Sequence, residues 1–275
     1  MKTSLIPALL ITAGLLSASM GAYSVETGPN PTLTSIKADG PFAVSSQTLS
    51  ASGRTYGSAT VYSPNTAGKY ALIAVCPGFL MPQGSIQQLA KRMATHGFVV
   101  VSIGTKSLTD QPNSRATQLL DALKAAAALT TGAVKGKIDP ARMGVAGWSM
   151  GGGGAMTAAG NTPGLKMALG WAPFNPDTSA FSKITVPVSI TNGTNDRITP
   201  HEQYALAYYD MIPATTKKMV GTILDGSHFI YSYTVSEPAS YTSIAWTKRF
   251  ADGDTRYNAF LPAQLSDWVT FKSTL

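Results

Sequence analysis

Arg142-Met143-Gly144-Val145-Ala146-Gly147-Trp148-Ser149-Met150-Gly151-Gly152-Gly153-Gly154 is the stretch that decides the fold. Met143 to Trp148 forms a short apolar run of the kind a buried strand shows. Ser149 then stands between Gly147 and Gly151, and the glycines lead into Ala155-Met156-Thr157-Ala158-Ala159, which predicts a helix. Strand, Gly-x-Ser-x-Gly, helix is the pattern of a nucleophile elbow, a turn so sharp that it holds a serine oxygen out at the edge of a sheet. The competing reading is a glycine-rich turn in which Ser149 only caps the following helix. Downstream partners of the right type, in the right order, decide between them.

Upstream, two antiparallel strands are predicted near 42–49 and 57–63, then a strand over Tyr70–Cys76 that ends in Pro77-Gly78-Phe79. Ile86, Leu89, Ala90 and Met93 fall on one helical face, His96-Gly97 closes that helix, and 98–101 reads as a fully buried strand. Asn113 is expected to cap a second amphipathic helix carrying Ala116, Leu119, Leu120, Leu123 and Ala127 on its core face. Beyond the elbow, strands are predicted at 165–170, 186–191 and 218–224, with helices at 201–211 and 241–250. Strands alternating with helices predict an α/β fold whose mostly parallel sheet carries helices on both faces. No repeat or linker interrupts the chain, so residues 23–275 are expected to form a single domain.

The start of the chain reads differently. Met1-Lys2-Thr3-Ser4 precedes a mostly apolar run from Leu5 to Leu16, then small residues through Ala22. That is the layout of a secretory signal peptide over 1–22, and about 12 apolar residues are too few to span a bilayer. Export follows as the expectation, with no membrane span in the mature chain. Charged residues make up only 13% of the chain, and the net charge of +7 is scattered rather than gathered into a basic arm. Nucleic-acid binding is therefore not expected. Cys76 is the only cysteine, so no disulfide can form within the chain, and its place at the end of an apolar strand marks it as a small buried hydrophobe.

The partners of Ser149 appear in two loops. The strand at 186–191 runs into Asn192-Gly193-Thr194-Asn195-Asp196-Arg197-Ile198-Thr199-Pro200, and the strand at 218–224 into Asp225-Gly226-Ser227-His228-Phe229. Sites in open α/β sheets lie beyond the carboxyl ends of the strands, where Ser149, Asp196 and His228 all fall. Serine, then aspartate, then histidine is the chain order expected of an elbow's triad. A serine hydroxyl becomes a useful nucleophile only when a neutral imidazole takes its proton, and a carboxylate fixes the tautomer of that imidazole. His96 precedes the elbow, His201 begins a helix, and Asp225 shares the histidine's own loop, which leaves Ser149, Asp196 and His228 as the candidate set. The oxyanion of acyl transfer needs two backbone donors, expected from the N–H groups of Met150 and Phe79.

These residues, together with Gly28-Pro29-Asn30-Pro31-Thr32, Asp110-Gln111-Pro112-Asn113-Ser114-Arg115 and Trp246-Thr247-Lys248-Arg249-Phe250, resemble the bacterial cutinases and polyethylene terephthalate hydrolases, within the dienelactone-hydrolase-like branch of the α/β-hydrolases. The likeness runs from Gly28 to about Phe260. It implies an α/β-hydrolase fold without a lid domain, acting as a monomer without cofactor or metal on polyester, cutin-like or small esters. It also implies that Phe79, Trp148 and Ile198 line the acyl cleft, with Phe229 and Arg197 beside them. Three departures stand out. The family's disulfides are absent, so packing alone is expected to hold the tail after Leu261. Asn175 stands where the family carries a tryptophan, with Trp171 and Phe174 close by. Arg197 follows the candidate acid in place of a small residue. A cation and a loss of aromatic surface would suit an anionic polymer, so endo-acting hydrolysis of poly(aspartic acid) is the alternative.

Overall fold

In the computed structural model, residues 25–261 and 267–275 are described; the expected leader over 1–22 lies outside them. In chain order the elements are α1 (Leu33–Lys37), β1 (Val44–Leu49), β2 (Ser58–Pro64), β3 (Tyr70–Cys76), α2 (Gln87–Thr95), β4 (Val99–Gly104), α3 (Pro112–Ala127), β5 (Ile138–Trp148) and α4 (Met150–Asn161). There follow β6 (Met167–Trp171), β7 (Val188–Gly193), α5 (Ala207–Met211), β8 (Lys218–Ile223), α6 (Glu237–Ala251) and β9 (Trp268–Ser273).

Among the described residues, nine strands join one sheet in the order β1-β2-β4-β3-β5-β6-β7-β8-β9. The six strands from β4 to β8 run parallel, while β1, β2 and β9 are antiparallel additions at the edges. β3 shows why helices must cover both faces. Every residue in it is buried, and alternate side chains enter different cores. Leu72, Ala74 and Cys76 pack with Leu119 and Leu123 of α3 and Met156 of α4. Ala71, Ile73 and Val75 pack with Leu89 and Met93 of α2 and Ile244 of α6. The chain therefore leaves β3 over one face to reach β4 and returns over the other to reach β5. That reversal opens a crevice at the carboxyl ends of β3 and β5, the place where open α/β sheets bind ligands.

Several boundaries differ from the sequence reading. α3 begins at Pro112 behind Gln111, because a proline's fixed φ suits the first helical position. Asn113 is therefore inside the helix, where its side chain donates to Asp177 Oδ2 at 2.7 Å instead of capping. α6 starts at Glu237, also with a proline in its first turn. The expected helix over 201–211 divides into a π-helical turn, Glu202–Leu206, and the short α5. The tail is not held by packing alone: β9 adds to the sheet edge antiparallel to β8, with Val220 opposite Lys272 and Gly221 opposite Phe271.

His96, at the end of α2, is buried with Nε2 3.1 Å from the Ala38 carbonyl. Burial lowers its pKa to about 4, against the raising effect of that hydrogen bond. An unfolded histidine takes up a proton near pH 6.5. Between there and about pH 4 the unfolded chain binds more protons at this position than the folded one. Stability should therefore fall as pH falls across that window, by up to about 3 kcal/mol from this residue. The expected outcome is that His96→Gln, although less stable at pH 7, loses less Tm between pH 7 and pH 4.5 than the parent; equal losses would show that His96 does not titrate this way.

Candidate active site

The elbow is built by close approach. A Cβ at Gly147 would stand 2.2 Å from the Gly151 carbonyl oxygen, and one at Gly151 would stand 2.3 Å from that of Cys76. Neither position can hold any other residue without moving backbone. Ser149 itself sits at φ 57° and ψ −121°, a left-handed conformation that costs a non-glycine residue energy and persists only where the surroundings enforce it. Its N–H donates to the Trp171 carbonyl at 2.8 Å, and its carbonyl accepts from Gly153 at 3.0 Å and Phe174 at 2.9 Å. Its hydroxyl makes no cap bond to α4, so the capping alternative does not hold.

Asp196 follows β7 and is buried, with a full set of donors. Oδ1 accepts from the N–H groups of Ile198 at 3.0 Å and Thr199 at 2.8 Å. Oδ2 accepts from the Thr199 hydroxyl at 2.8 Å and faces His228 Nδ1 at 2.9 Å. Burial pushes this carboxyl up, but the hydrogen bonds from His228 and Thr199 outweigh it, and the pKa ends below its ordinary value. An ionised acceptor assigns the proton to Nδ1 of His228 and leaves Nε2 with a free lone pair. Trp148 completes the support: its Nε1 donates to the His228 carbonyl at 2.8 Å, and its ring lies 5.5 Å from the imidazole. Among the described residues no hydrogen bond yet joins Ser149 to His228; such contacts commonly tighten only around substrate.

The rival groups are elsewhere. His201 Nδ1 is engaged by Asn192 Oδ1 at 2.9 Å and Thr222 Oγ1 at 2.7 Å. Asp225 is exposed at φ 56°, and its N–H binds Thr194. Burial drives the Cys76 thiol up to about 11, so it is no nucleophile.

Phe79 follows β3 in the loop that reaches the elbow, where a Cβ on Gly78 would stand 3.1 Å from that of Ser149. Among the described residues, the N–H groups of Phe79 and Met150 find no protein acceptor. Phe79, Ile198 and Phe229 are exposed at 42, 54 and 51%, and Arg197 is exposed beside Ile198. Trp148 is only 1% exposed, contrary to the expected cleft-lining role: it underlies His228 and packs edge-on against Phe229. Asn175 does not open the cleft either. It is buried, with Nδ2 donating to Thr157 and Oδ1 accepting from Asp177. Phe174 reaches the elbow through its backbone N–H, while its half-buried ring packs against Tyr204 with centroids 5.6 Å apart. Beyond His228 an open groove of about 620 Å³ is lined by Met81, Phe229, Ile230 and Tyr233 together with Ser227, Ser232, Thr234 and Ser236.

Thr199 is the residue that sequence reasoning missed. It is fully buried, and its hydroxyl lies 2.8 Å from Asp196 Oδ2 and 3.2 Å from His228 Nδ1. The one available signal was its position three residues after an aspartate, where a threonine can close a turn.

A model of the PETase family, described as PET hydrolase-like, matches residues 19–273. The chain is 38% identical to cutinase est1 of Thermobifida alba over 263 residues, covering 93% of this chain and 88% of that one. It is 39% identical to cutinase 1 of Thermobifida cellulosilytica, covering 87% and 92% respectively. It is 36% identical to a bis(hydroxyethyl) terephthalate hydrolase of Streptomyces coelicolor, covering 94% and 84%.

Two sets of variants test the arrangement. Ser149→Ala and His228→Ala should each lower ester turnover about 10³-fold or more with the fold retained, whereas His201→Ala should stay within a few-fold of the parent. Comparable losses at His201 and none at His228 would move the base to the other loop. Thr199→Val should cost roughly 1.5–3 kcal/mol of stability, read as a lower Tm, and cut kcat/KM severalfold, with Thr199→Ser close to the parent. A Thr199→Val protein equal to the parent in both would leave the hydroxyl without a role.

Proposed function

The chain belongs to the PET hydrolase-like family, and from that premise we propose that it hydrolyses polyester or cutin-like esters through an acyl-enzyme formed on Ser149. Ser149 Oγ attacks the ester carbonyl while its proton passes to His228 Nε2. Asp196 holds the imidazole through Nδ1 and stabilises the cation that forms. The tetrahedral oxyanion takes the N–H groups of Phe79 and Met150. Collapse breaks the C–O bond, and His228 returns the proton to the departing alcohol. Water then repeats the sequence on the acyl-serine, releasing the acid and restoring the hydroxyl.

The observation that carries this reading is the pairing of His228 Nδ1 with Asp196 Oδ2 at 2.9 Å behind an uncommitted, strained Ser149. A base oriented by a buried carboxylate next to a forced-out hydroxyl is what an acyl-transfer nucleophile requires. The substrate class follows from the exposed apolar side chains of Phe79, Ile198 and Phe229 and the groove past His228, which suit an extended apolar chain with polar ester groups. The names of the relatives, cutinases and a bis(hydroxyethyl) terephthalate hydrolase, point to the same chemistry. Monomeric action after export past the 1–22 leader completes the proposal. No described helix is long and apolar enough to cross a membrane.

A panel of p-nitrophenyl butyrate, bis(hydroxyethyl) terephthalate, polyester film and poly(aspartate) tests the assignment. Turnover of both small esters and release of soluble products from film are expected, with poly(aspartate) intact. Arg197→Ser should be neutral or favourable on film, since it removes a charge bordering an apolar chain. Cleavage of poly(aspartate) that falls steeply with salt and about tenfold in Arg197→Ser, with no release from polyester, would overturn the ester assignment.

A further inference from the structure

Arg115, on the first turns of α3, is completely buried, and among the described residues its guanidinium pairs with no carboxylate. Burying a charge without a counter-ion is expensive, so its surroundings must answer it with polar groups. Four backbone carbonyls do so. Nε donates to Asp110 at 2.7 Å and Nη2 to Leu108 at 3.0 Å, while Nη1 donates to both Pro77 at 3.0 Å and Gly78 at 3.1 Å. The Leu108 carbonyl also accepts from the Leu80 N–H at 2.9 Å, so the loop after β3 and the loop before α3 are tied together around one side chain.

The Gly78 carbonyl is the telling partner. It shares a rigid peptide plane with the Phe79 N–H, so whatever fixes the direction of one fixes the direction of the other. A charge-assisted bond to the carbonyl also draws electron density from the N–H and makes it a better donor. The second donor has a neutral version of the same device. The Ser149 carbonyl, on the plane of the Met150 N–H, accepts from both Gly153 and Phe174. We propose that Arg115 is a positioning residue for the oxyanion hole, aiming and polarising the Phe79 N–H through the Gly78 carbonyl while its buried positive charge stands behind the developing oxyanion. This rests on the reading of Ser149 as the nucleophile and of Phe79 and Met150 as the oxyanion donors.

Lysine keeps the charge but cannot reach four carbonyls in a planar fork, so Arg115→Lys separates the device from the charge alone. Four quantities are read: kcat and KM on p-nitrophenyl butyrate, inhibition by butylboronic acid, inhibition by butyrate, and Tm. The boronate forms a tetrahedral adduct on the serine and reports the hole; butyrate is trigonal and reports the cleft. Arg115→Lys should lower kcat and boronate affinity in parallel, about 10- to 100-fold, with KM and butyrate inhibition within about threefold. Arg142→Lys, which alters a buried guanidinium bound to Asp139 and Asp252 away from the hole, should lower Tm without moving kcat or boronate affinity. If Arg115→Lys does not fold, Arg115→Gln is read in the same way. A folded variant with kcat and boronate affinity within twofold of the parent overturns the proposal. So do equal losses on boronate and butyrate, which would mean a general collapse of the cleft. Ser149→Ala separates the two levels: if it still turns over ester, the reading of the site fails, whereas if it is inert and Arg115→Lys is unchanged, only the anchor fails.

Discussion

The structure depends on one sharp turn. Between β5 and α4 the chain reverses so tightly that Gly147 and Gly151 meet carbonyl oxygens at distances no Cβ could share, and Ser149 is left at φ 57°. Such a conformation is unfavourable alone, and it is held here by hydrogen bonds on both sides of the serine. Its N–H is tied to β6, and its carbonyl is tied to α4 and to the loop after β6. The sheet therefore supplies the restraint that keeps one hydroxyl out at its edge. Because β3 and β5 are neighbours, the same edge brings the Phe79 loop alongside.

Around that turn the polar groups are arranged so that few charges stand unanswered. Asp196 is buried beneath donors from Ile198, Thr199 and His228, and hydrogen bonding wins over desolvation in keeping it an anion. An anion there is useful only because it orients one imidazole nitrogen and leaves the other free. Trp148 serves both sides: it ends the strand that leads into the elbow, and its indole N–H holds the carbonyl of the histidine. A residue one place from the serine thus fixes a residue 80 positions away in sequence. Arg115 plays a corresponding part for the loop after β3, with carbonyls instead of a carboxylate as its partners.

The proposed set of Ser149, Asp196 and His228 can be picked out in the sequence because each follows an apolar strand, and strand ends are where this architecture places chemistry. The parallel core is legible for the same reason: runs such as Tyr70–Cys76 are apolar throughout, as a strand covered on both faces must be. What escapes is whatever depends on contacts distant in the chain. β9 has no strong apolar alternation and becomes a strand only by pairing with β8. Tryptophan is apolar whether it lines a cleft or lies beneath one, so the burial of Trp148 could not be read from its neighbours. Asn113 has the right chemistry for a cap, but the proline before it already starts the helix. Thr199 and Arg115 are ordinary polar residues in sequence; their significance comes from what the fold sets against them.

The central claim, that the elbow presents a nucleophile activated by His228, is tested most directly by covalent labelling. A fluorophosphonate should attach once per chain, on the peptide that carries Ser149, and peptide mapping by mass spectrometry reads the position. The expected result is stoichiometric labelling of Ser149 in the parent protein and labelling slowed by orders of magnitude in His228→Ala. An adduct on a different residue, or undiminished labelling of Ser149 in His228→Ala, would contradict it.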